Sequence, residues 1–475
     1  IVDGLFLVEG GTAHSAYWPD EAVEAGARVQ NLGKQNANVT VTCSFTRAGQ
    51  PEPFHRNVTE HQLLVRRETT VRDTLVLPIK GPGTCQVRTE LRREGRVIDH
   101  ITQDLSVLDP KSAAPKEFIS VAGTDFTLAG KPWYPVGINY WPLYVSGMDH
   151  ADYWAGWLDH RFYEPALIEE DLGRMAYQGM NMVSVQSNDP RFYRNLLDFA
   201  QRCKRYGIRI NLYCGLASPL AFQEDKLKAF LATSRLHQNP TVFAYDTIWE
   251  PGNHVFRGSG RNKWDGKWRE WITEHYGSIA QAEQDWEHKP PRDGKGNVTS
   301  PPDRYFSKDG EWRVLMAAYR RFMDDLTSRK WNDAHRRLRQ LAPNQLVSFR
   351  QGNTLPHDFT LTGTPKHIDF ICPEGYSIHH SQDGYNAAGF ITRYVHFTTG
   401  GKPIIWSEFG KSVWNRSAMR MEPDTIAAQG EYHDMFYRMC LESGANGTAP
   451  WWWPGGYRVG ERSDFGIMNP DYTER

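Results

Sequence analysis

The chain has 475 residues, more than one hydrophobic core usually organises, so its length predicts two or three domains. Its 55 lysines and arginines nearly balance its 56 aspartates and glutamates, and no basic run is interleaved with aromatic residues, so we do not expect a nucleic-acid partner. No apolar stretch approaches the roughly 18 to 20 residues that a membrane-spanning helix needs, so we do not expect a membrane partner either.

The beginning of the chain and its cysteines bear on the cellular location. The chain starts at Ile1 without a methionine and has glycosylation sequons that begin at Asn38 and Asn57, which favours a secreted or periplasmic protein. Cys43 and Cys85 lie on predicted strands of one domain and are either a disulfide or two buried thiols. The six cysteines form no CxxC pair and no cluster with histidine at ligand spacing, so we expect no structural zinc site.

The first part of the chain has the pattern of an all-β domain. From Val39 to Phe45 every second residue is apolar, which is the period of a strand with one buried face. Further strands are predicted at Thr70–Leu77, Cys85–Leu91 and Val97–Val107. Together these strands predict an immunoglobulin-like β-sandwich over residues 1–115, which ends in a linker rich in proline, serine and alanine.

From residue 116 onwards, short apolar strands alternate with amphipathic helices, which is typical of parallel β/α architecture. The predicted strands number eight, as in a (β/α)8 TIM barrel: Tyr134–Asn139, Met180–Gln186, Ile208–Cys214, Val242–Trp249, Leu346–Arg350, Phe370–Pro373, Ile404–Glu408 and Thr448–Trp452. We therefore predict a barrel over residues 116–475, with an insertion at about 251–310 after the fourth strand. Because loops that follow the strands lie on the catalytic face, we expect the insertion to wall the active site.

Two glutamates end predicted barrel strands. Glu250 follows the fourth strand and Glu408 closes the seventh, where a carboxylate without a task would destabilise the fold by several kcal/mol on usual estimates. Glycoside cleavage needs one protonated and one ionised carboxyl group, and strands four and seven lie nearly opposite in a barrel, so their side chains can approach to roughly 5 Å, as in a retaining pair. The alternative is that both are structural ion-pair carboxylates, and Glu374 and Asp246 are rival carboxyl groups.

Two segments resemble the clan A glycoside hydrolases. The run from Lys402 to Gly410, Lys-Pro-Ile-Ile-Trp-Ser-Glu-Phe-Gly, is similar to the nucleophile strand of that clan, and Ser463–Ile467 is similar to its segment after strand eight. The resemblance covers about residues 120–475 and implies that Glu408 is the nucleophile and that Glu250 is the acid/base. The helical run 268–286 is similar to family 42 β-galactosidases, whereas residues 126–132 look more like family 5 enzymes, so the family stays open.

The sequence departs from the clan pattern at two positions. Clan members usually place an asparagine before the acid/base to contact the substrate 2-hydroxyl, and here that residue is Trp249, which we expect to contact the substrate differently. The strand-two arginine of many members is not evident in Met182–Gln186. Arg350 on the fifth strand is expected to supply a cation near Glu408 instead.

Further residues are expected to line the same pocket. Tyr376, just after the sixth strand, is similar to the clan tyrosine that hydrogen-bonds the nucleophile, although a core aromatic is the alternative. Trp452 and Trp453 resemble the platform under the sugar in the cleavage subsite. Asn139 and Trp141 follow the first strand and are expected to face the same space.

The resemblance implies a retaining glycoside hydrolase that cleaves β-linked glycosides by double displacement, with an oligosaccharide or polysaccharide as substrate. The 17 tryptophans and 21 tyrosines fit a sugar ligand, because sugar rings stack on flat aromatic faces. No nucleotide-binding or serine-hydrolase motif appears, and His379-His380 has no ligand partners at useful spacing, so no cofactor or metal is expected. The long insertion favours exo-action; alternatives are an endo-acting β-mannanase or β-glucanase type, a transglycosylase or phosphorylase, and a non-catalytic carbohydrate-binding protein.

Overall fold

The computed structural model describes residues 4–19, 21–76, 82–111, 113–147, 156–186, 190–251, 256, 258–350, 367–376 and 378–475. The chain divides into two compact units. The first comprises Ile1–Ser112, Ala155–Gly173 and Asp189–Tyr206, and the second comprises Ala113–Trp154, Arg174–Asn188 and Gly207–Arg475. The domain boundaries expected from the sequence, 1–115 and 116–475, stay a prediction.

The first unit contains two sheets. Its strands are β1 (Leu5–Thr12), β2 (Ala16–Tyr17), β3 (Ala22–Asn31), β4 (Ala37–Arg47), β5 (His55–Leu63), β6 (Glu68–Val76), β7 (Gly83–Arg93) and β8 (Arg96–Val107). One sheet has the order β1-β3-β6 and the other has the order β2-β8-β7-β4-β5. Neighbouring strands are antiparallel, except that β2 runs parallel to β8.

Both sheets contribute side chains to one apolar core. Val23 of β3 lies in the same buried cluster as Phe45 of β4, Val87 of β7 and Leu105 of β8. The alternation along β4 largely has the expected cause: Cys43 and Phe45 are buried in this cluster and Val39 and Val41 in a second one, whereas Thr42 is buried as well. The expected β-rich N-terminal region is confirmed, and its immunoglobulin type stays a prediction.

Cys43 and Cys85 are separate thiols. In the pairing of β4 with β7, Cys43 lies opposite Thr89 and Cys85 lies opposite Arg47, so the two cysteines are offset by four residues, or roughly 13 Å along the strands. A disulfide requires Cα atoms within about 7 Å. Burial raises the pKa of both thiols to about 11. The alternative of two buried thiols therefore describes this core.

The second unit is built on parallel strands. Six of them form one sheet in chain order: β12 (Gly137–Asn139), β13 (Met182–Gln186), β14 (Arg209–Tyr213), β15 (Val242–Asp246), β16 (Leu346–Arg350) and β17 (Phe370–Cys372). A parallel pair follows, β18 (Ile405–Trp406) with β21 (Gly447–Thr448). Parallel bridges join Ile371 to Ile404 and Val136 to Thr448. The mixed α/β class is confirmed. Seven of the predicted strand regions contain an observed strand, and the eighth, Thr448–Trp452, overlaps β21 only at Thr448.

Small antiparallel strands accompany this sheet. They are β9 (Ile119–Ala122), β10 (Asp125–Leu128), β11 (Lys131–Pro132), β19 (Trp414–Asn415) and β20 (Arg420–Met421). Phe126 of β10 packs edge-on against Phe370 of β17, with ring centroids 5.2 Å apart, and lies in a buried cluster with Met182 and Ile405. This cluster fixes the spacing of the strands on which the site depends.

Helices alternate with the strands along the chain. They are α1 (Pro165–Tyr177), α2 (Tyr193–Arg205), α3 (Glu224–Ser234), α4 (Asp265–Tyr276), α5 (Ile279–Trp286), α6 (Arg304–Ser307), α7 (Arg313–Leu341), α8 (Gln382–Thr399) and α9 (Pro423–Ser443). Within the described ranges, no helix combines the length and apolar character needed to cross a membrane.

Candidate active site

Polar side chains project from the ends of neighbouring parallel strands. Asp246 ends β15, Arg350 ends β16, Asn139 ends β12, and Glu408 follows β18 by two residues. All four are buried, although every residue of β15 and β16 is buried as well. Polar groups inside such apolar strands are stable only with hydrogen-bonding partners, so their contacts define the site.

Arg350 is the centre of this network. Its Nη1 donates to Glu408 Oε1 over 2.8 Å, its Nε donates to Asp246 Oδ2 over 3.1 Å, and its Nη2 donates to Ser184 Oγ over 2.7 Å. Burial works against the charge of Arg350, but the two carboxylates raise its pKa above the ordinary value. A permanent cation therefore lies between Asp246 and Glu408.

Asp246 is an ion-pair partner of Arg350. Besides the guanidinium of Arg350, it accepts hydrogen bonds from Asn211 Nδ2 over 3.1 Å and from the Ser348 hydroxyl. Burial raises the pKa of Asp246, while Arg350 acts in the opposite direction. With its oxygens bound by these donors and no exposed surface, Asp246 is placed to hold Arg350 rather than to reach a ligand.

Glu408 is 4% exposed and accepts hydrogen bonds from Arg350 and from the Tyr376 hydroxyl. Burial raises the pKa of Glu408 to about 8; Arg350 lowers it, Glu250 raises it, and the hydrogen bond from Tyr376 lowers it. Burial and the neighbouring carboxyl groups raise the pKa of Tyr376 well above its usual range, so Tyr376 stays a hydrogen-bond donor. Two donors thus favour the ionised form of Glu408 against the effect of burial.

Glu250 lies four residues beyond the end of β15 and is half-buried. Its backbone has a φ of +44°, a left-handed conformation that non-glycine residues rarely adopt and that is retained mainly where the direction of a side chain matters. Its carboxyl group is close enough to act on the pKa values of both Glu408 and Glu374. The two glutamates nominated from the sequence therefore meet at one place.

Glu374 is a third carboxyl group at this place. It is fully buried, and among the described residues no donor satisfies either of its oxygens. Its hydrogen-bonding neighbour is another carboxyl group, that of Glu250. Burial raises its pKa well above the ordinary value, and Glu408 and Glu250 raise it further. A parallel bridge joins Glu374 to Glu408, where the Gly375 N–H donates to the Glu408 carbonyl over 2.7 Å.

Trp249 covers the cation. The guanidinium carbon of Arg350 lies 3.5 Å from the centroid of the Trp249 ring, and Tyr213 and Trp451 contact that ring at centroid distances of 5.7 and 6.4 Å. At the position where the clan pattern has an asparagine, this chain therefore has an indole that stacks on an arginine. Trp249 remains half-buried, so part of its surface faces outwards.

Trp452 and Trp453 are both fully buried. The Trp452 ring stacks on Trp141 with a centroid distance of 5.3 Å, and the guanidinium carbon of Arg458 lies 3.8 Å from its centroid. These contacts make Trp141 and Trp452 parts of one packed aromatic cluster. Their expected role as a sugar platform stays a prediction.

Asn139 connects the strand ends. Its Nδ2 lies 2.7 Å from the Ser407 carbonyl and 3.1 Å from the carbonyls of Ala449 and Pro450, and its Oδ1 is 3.4 Å from Arg350 Nη1. The side chain of Asn139 therefore tethers the segment that leads into Glu408. Its expected contact with a ligand stays a prediction.

Sequence reasoning missed three members of this network. Ser184, Asn211 and Ser348 each occupy the middle of an apolar strand and bind Arg350 or Asp246. The available signal was a polar residue inside a continuous apolar run, which costs free energy unless it has a partner. Within the described part of the chain, no group of three or more histidine, cysteine, aspartate or glutamate side chains is arranged to hold a metal ion.

A cavity of about 460 Å³ lies elsewhere in the second unit. It is bordered by α4 and α7, and its lining includes Phe222, Trp271, Leu326, Lys330 and Arg337. None of the three clustered carboxyl groups lines it. The candidate site at the strand ends is therefore separate from this cavity.

No protein-family model matches the chain, and no curated protein is significantly similar to it in sequence. Similar solved structures include the Bacteroides uniformis β-glucuronidase 2 bound covalently to cyclophellitol-6-carboxylate aziridine, at 13% identity over 99% of this chain and 49% of that one, with a TM-score of 0.44. A Ruminococcus gnavus β-glucuronidase is 12% identical over 99% and 66% of the two chains, with a TM-score of 0.44. A putative β-galactosidase from Bacteroides fragilis is 11% identical over 100% and 59%, with a TM-score of 0.43. The chain spans about half the length of the first of these proteins. Similarity at this level assigns no activity.

Proposed function

We propose that the chain is a retaining glycoside hydrolase of the clan A type that cleaves β-linked glycosides of an oligosaccharide or polysaccharide. The observation that carries the proposal is the meeting of Glu250 and Glu408, which follow the fourth and seventh parallel strands and interact electrostatically. Arg350 and Tyr376 donate to Glu408, which suits a carboxylate that attacks.

A closed (β/α)8 barrel is part of this proposal. The six-stranded sheet β12–β17 and the pair β18–β21 together supply eight parallel strands. The bridge Ile371–Ile404 lies between β17 and β18, and the bridge Val136–Thr448 lies between β21 and β12, which supports closure at both seams. In a closed barrel the strand ends surround one pocket, so residues from strands four to seven face one substrate.

The first chemical step transfers the glycosyl group to Glu408. A carboxylate oxygen of Glu408 attacks the anomeric carbon, the bond from that carbon to the glycosidic oxygen breaks, and Glu250 gives its proton to the departing oxygen. Arg350 and Tyr376 hold the Glu408 carboxylate in place before attack. The leaving alcohol departs neutral, and a glycosyl ester on Glu408 remains.

The second step releases the sugar. Glu250, now a carboxylate, takes a proton from water while the water oxygen attacks the anomeric carbon, and the ester bond to Glu408 breaks. Both carboxyl groups return to their starting forms. Two inversions at one carbon retain the β configuration in the product.

Two substitutions test this mechanism. Glu250→Ala and Glu408→Ala are each expected to lower kcat/KM for an unactivated β-glycoside by about 10²- to 10⁴-fold or more. On an activated aryl β-glycoside, whose leaving group departs without help from an acid, added azide should restore turnover in both: Glu250→Ala should release a β-glycosyl azide, and Glu408→Ala should release an α-glycosyl azide. Glu274→Ala, which changes an exposed glutamate of α4, is the matched control. Full hydrolysis by either site variant would refute the assignment.

A substrate screen tests which sugar the protein cleaves and whether it acts at chain ends or on internal linkages. Aryl β-glycosides of galactose, mannose, glucose, fucose, glucuronate and the N-acetylhexosamines, tested beside polysaccharides, separate the candidates. Cleavage of an aryl monoglycoside without attack on internal linkages supports exo-action, whereas shortening of a polysaccharide supports an endo-acting enzyme. Binding without turnover would favour a non-catalytic carbohydrate-binding protein. A secreted or periplasmic location is also proposed, and cell fractionation tests it.

A further inference from the structure

The contact between Glu374 and Glu250 has a chemical requirement. Two carboxyl groups can share a hydrogen bond only when one of them carries a proton, because an ionised carboxylate is solely an acceptor. Glu374 is fully buried, and no donor among the described residues satisfies its oxygens. An ionised Glu374 would thus be a buried charge facing another carboxyl group without a hydrogen bond to support it.

The groups around Glu374 favour its protonated form. It is faced by Glu250, Glu408 and Tyr376, from the segments after strands four, seven and six, and by Arg350, the last residue of strand five. The guanidinium donates to Glu408, Asp246 and Ser184, and the Tyr376 hydroxyl donates to Glu408. These donors support the other carboxylates, so the neutral acid is the form of Glu374 that this environment accommodates.

We propose that Glu374 is a third functional carboxyl group of the site, held as the neutral acid, whose O–H donates to Glu250 and positions the Glu250 carboxyl group. Its effect on catalysis rests on the proposed function, but its protonation does not. One oxygen of Glu250 accepts the bond from Glu374, and this bond fixes the direction in which the carboxyl group faces the glycosidic oxygen. The bond persists when Glu250 becomes a carboxylate, so a single donor serves both chemical steps.

Infrared spectroscopy tests the protonation without any substrate. The folded wild-type protein at about pH 9.5 is expected to show the carbonyl stretch of a neutral carboxylic acid, shifted in deuterium oxide, because Glu408 with a pKa of about 8 is then mostly ionised. Glu374→Gln should abolish this band, and the control Glu274→Gln should leave it unchanged. A wild-type spectrum without the band, or a band that survives Glu374→Gln, would overturn the proposal.

Kinetics test the positioning. Glu374→Gln keeps a neutral donor and is expected to retain kcat within about threefold, whereas Glu374→Leu removes the donor and should lower kcat roughly tenfold for glycosides with poor leaving groups. For activated aryl glycosides, which need little help from an acid, Glu374→Leu should change kcat little, and KM should stay constant for both substrates. Equal kcat in the wild type and Glu374→Leu, or an equal loss in both variants, would contradict positioning by a donor. If Glu374→Leu does not fold, the kcat of Glu374→Gln alone tests the positioning, and a loss of kcat well beyond threefold in Glu374→Gln overturns the proposal.

The two proposals can fail separately. If the wild type cleaves no glycoside, the proposed function fails, and the infrared band still decides the state of Glu374. If glycosides are cleaved but the band is absent, only the inference about Glu374 fails.

Discussion

Arg350 bonds to residues of three strands, and the shape of its side chain explains how. A guanidinium presents its donors in a rigid planar fork, so one residue reaches Ser184 on β13, Asp246 on β15 and Glu408 beyond β18. A lysine ammonium has no such fork. Trp249 covers one face of the guanidinium, and the loss of water there strengthens the interaction of the cation with both carboxylates.

Removing this cation should destabilise the fold. In Arg350→Met the carboxyl groups of Asp246 and Glu408 lose their buried partner, and the free energy of unfolding should fall by roughly 3 to 5 kcal/mol at neutral pH. The loss should grow as the pH rises above about 8, because Glu408 then ionises beside Arg350 in the folded wild type, whereas without Arg350 it keeps a proton that the unfolded chain has lost. Urea unfolding at several pH values measures both effects.

The control for Arg350→Met is Arg438→Met, which removes an exposed i,i+4 pair with Asp434 on α9. Such pairs contribute about 0.3 to 0.5 kcal/mol. Equal losses in the two variants would mean that the buried network does not stabilise the fold.

Tyr376 is expected to set the pH dependence of activity. Glu408 must be ionised to attack, so kcat/KM should rise with pH through its pKa of about 8. Tyr376→Phe removes a hydrogen bond that favours the ionised form, so this rise should move to higher pH by about 0.5 to 1 unit. Initial rates on an aryl glycoside between about pH 6 and 10 measure it. Tyr394→Phe, on α8, should leave the profile unchanged, and an unmoved profile in Tyr376→Phe would argue against this role.

At the scale of elements, the apolar runs in the sequence located the parallel strands of the second unit but not the small antiparallel strands β9–β11, β19 and β20. The observed β16 has the predicted bounds, Leu346–Arg350, whereas β18 covers only Ile405–Trp406 of the predicted Ile404–Glu408. The predicted strand is longer because it includes Ile404, which forms only an isolated bridge to Ile371, and the polar residues Ser407 and Glu408 beyond the last regular pair. Beyond it, the Glu408 carbonyl accepts from the Gly375 N–H and the chain turns towards the site.

Strand ends also explain which site residues could be anticipated. Glu250, Glu408 and Arg350 follow or end apolar strands, and in parallel β/α folds such positions face one edge of the sheet. The contact of Glu374 with Glu250 depends instead on loop conformation, including the left-handed backbone at Glu250, which periodicity does not encode. Ser184 of β13, which binds Arg350, and Ser348 of β16, which binds Asp246, were hidden because a lone serine in a strand has the appearance of an ordinary strand residue.

One glycine controls how closely two of these strands approach. A Cβ added at Gly137 of β12 would lie 2.2 Å from the Met182 carbonyl of β13, so Gly137→Ala must displace backbone. We expect it to lower the free energy of unfolding by about 1 to 3 kcal/mol and to reduce activity, since β12 carries Asn139. A Cβ added at Gly147 would meet no atom of the described residues within 4 Å, so Gly147→Ala is the matched control. Denaturant unfolding of both variants measures the difference. Equal free energies of unfolding would show that β12 and β13 can move apart to accommodate the added methyl group.

At the scale of the whole molecule, buried groups with displaced pKa values act on stability in two pH windows. Burial lowers the pKa values of His14, His237, His335 and His433, the last to about 4. These histidines make stability rise with pH until they are neutral in the unfolded chain as well, near pH 7. The carboxyl groups of the site act in the opposite direction, because burial raises the pKa values of Asp246, Glu374 and Glu408.

Between about pH 7 and 8 the pH dependence of the free energy of unfolding comes from the carboxyl groups and no longer from the histidines. There the folded protein retains protons on Glu374 and Glu408 that the unfolded chain has lost, so each rise in pH favours unfolding. The contribution of Glu408 is fully present below its ordinary pKa of about 4.5 and is lost as the pH rises through about 8, which amounts to about 1 kcal/mol across this window. Urea unfolding followed by tryptophan fluorescence should show the decline, and Glu408→Gln should remove about 1 kcal/mol of it while Glu274→Gln leaves it unchanged. A wild-type stability that stays flat or increases from pH 7 to 8 would mean that Glu408 is ionised in the folded protein well below pH 7, and that Arg350 outweighs burial at the centre of the site.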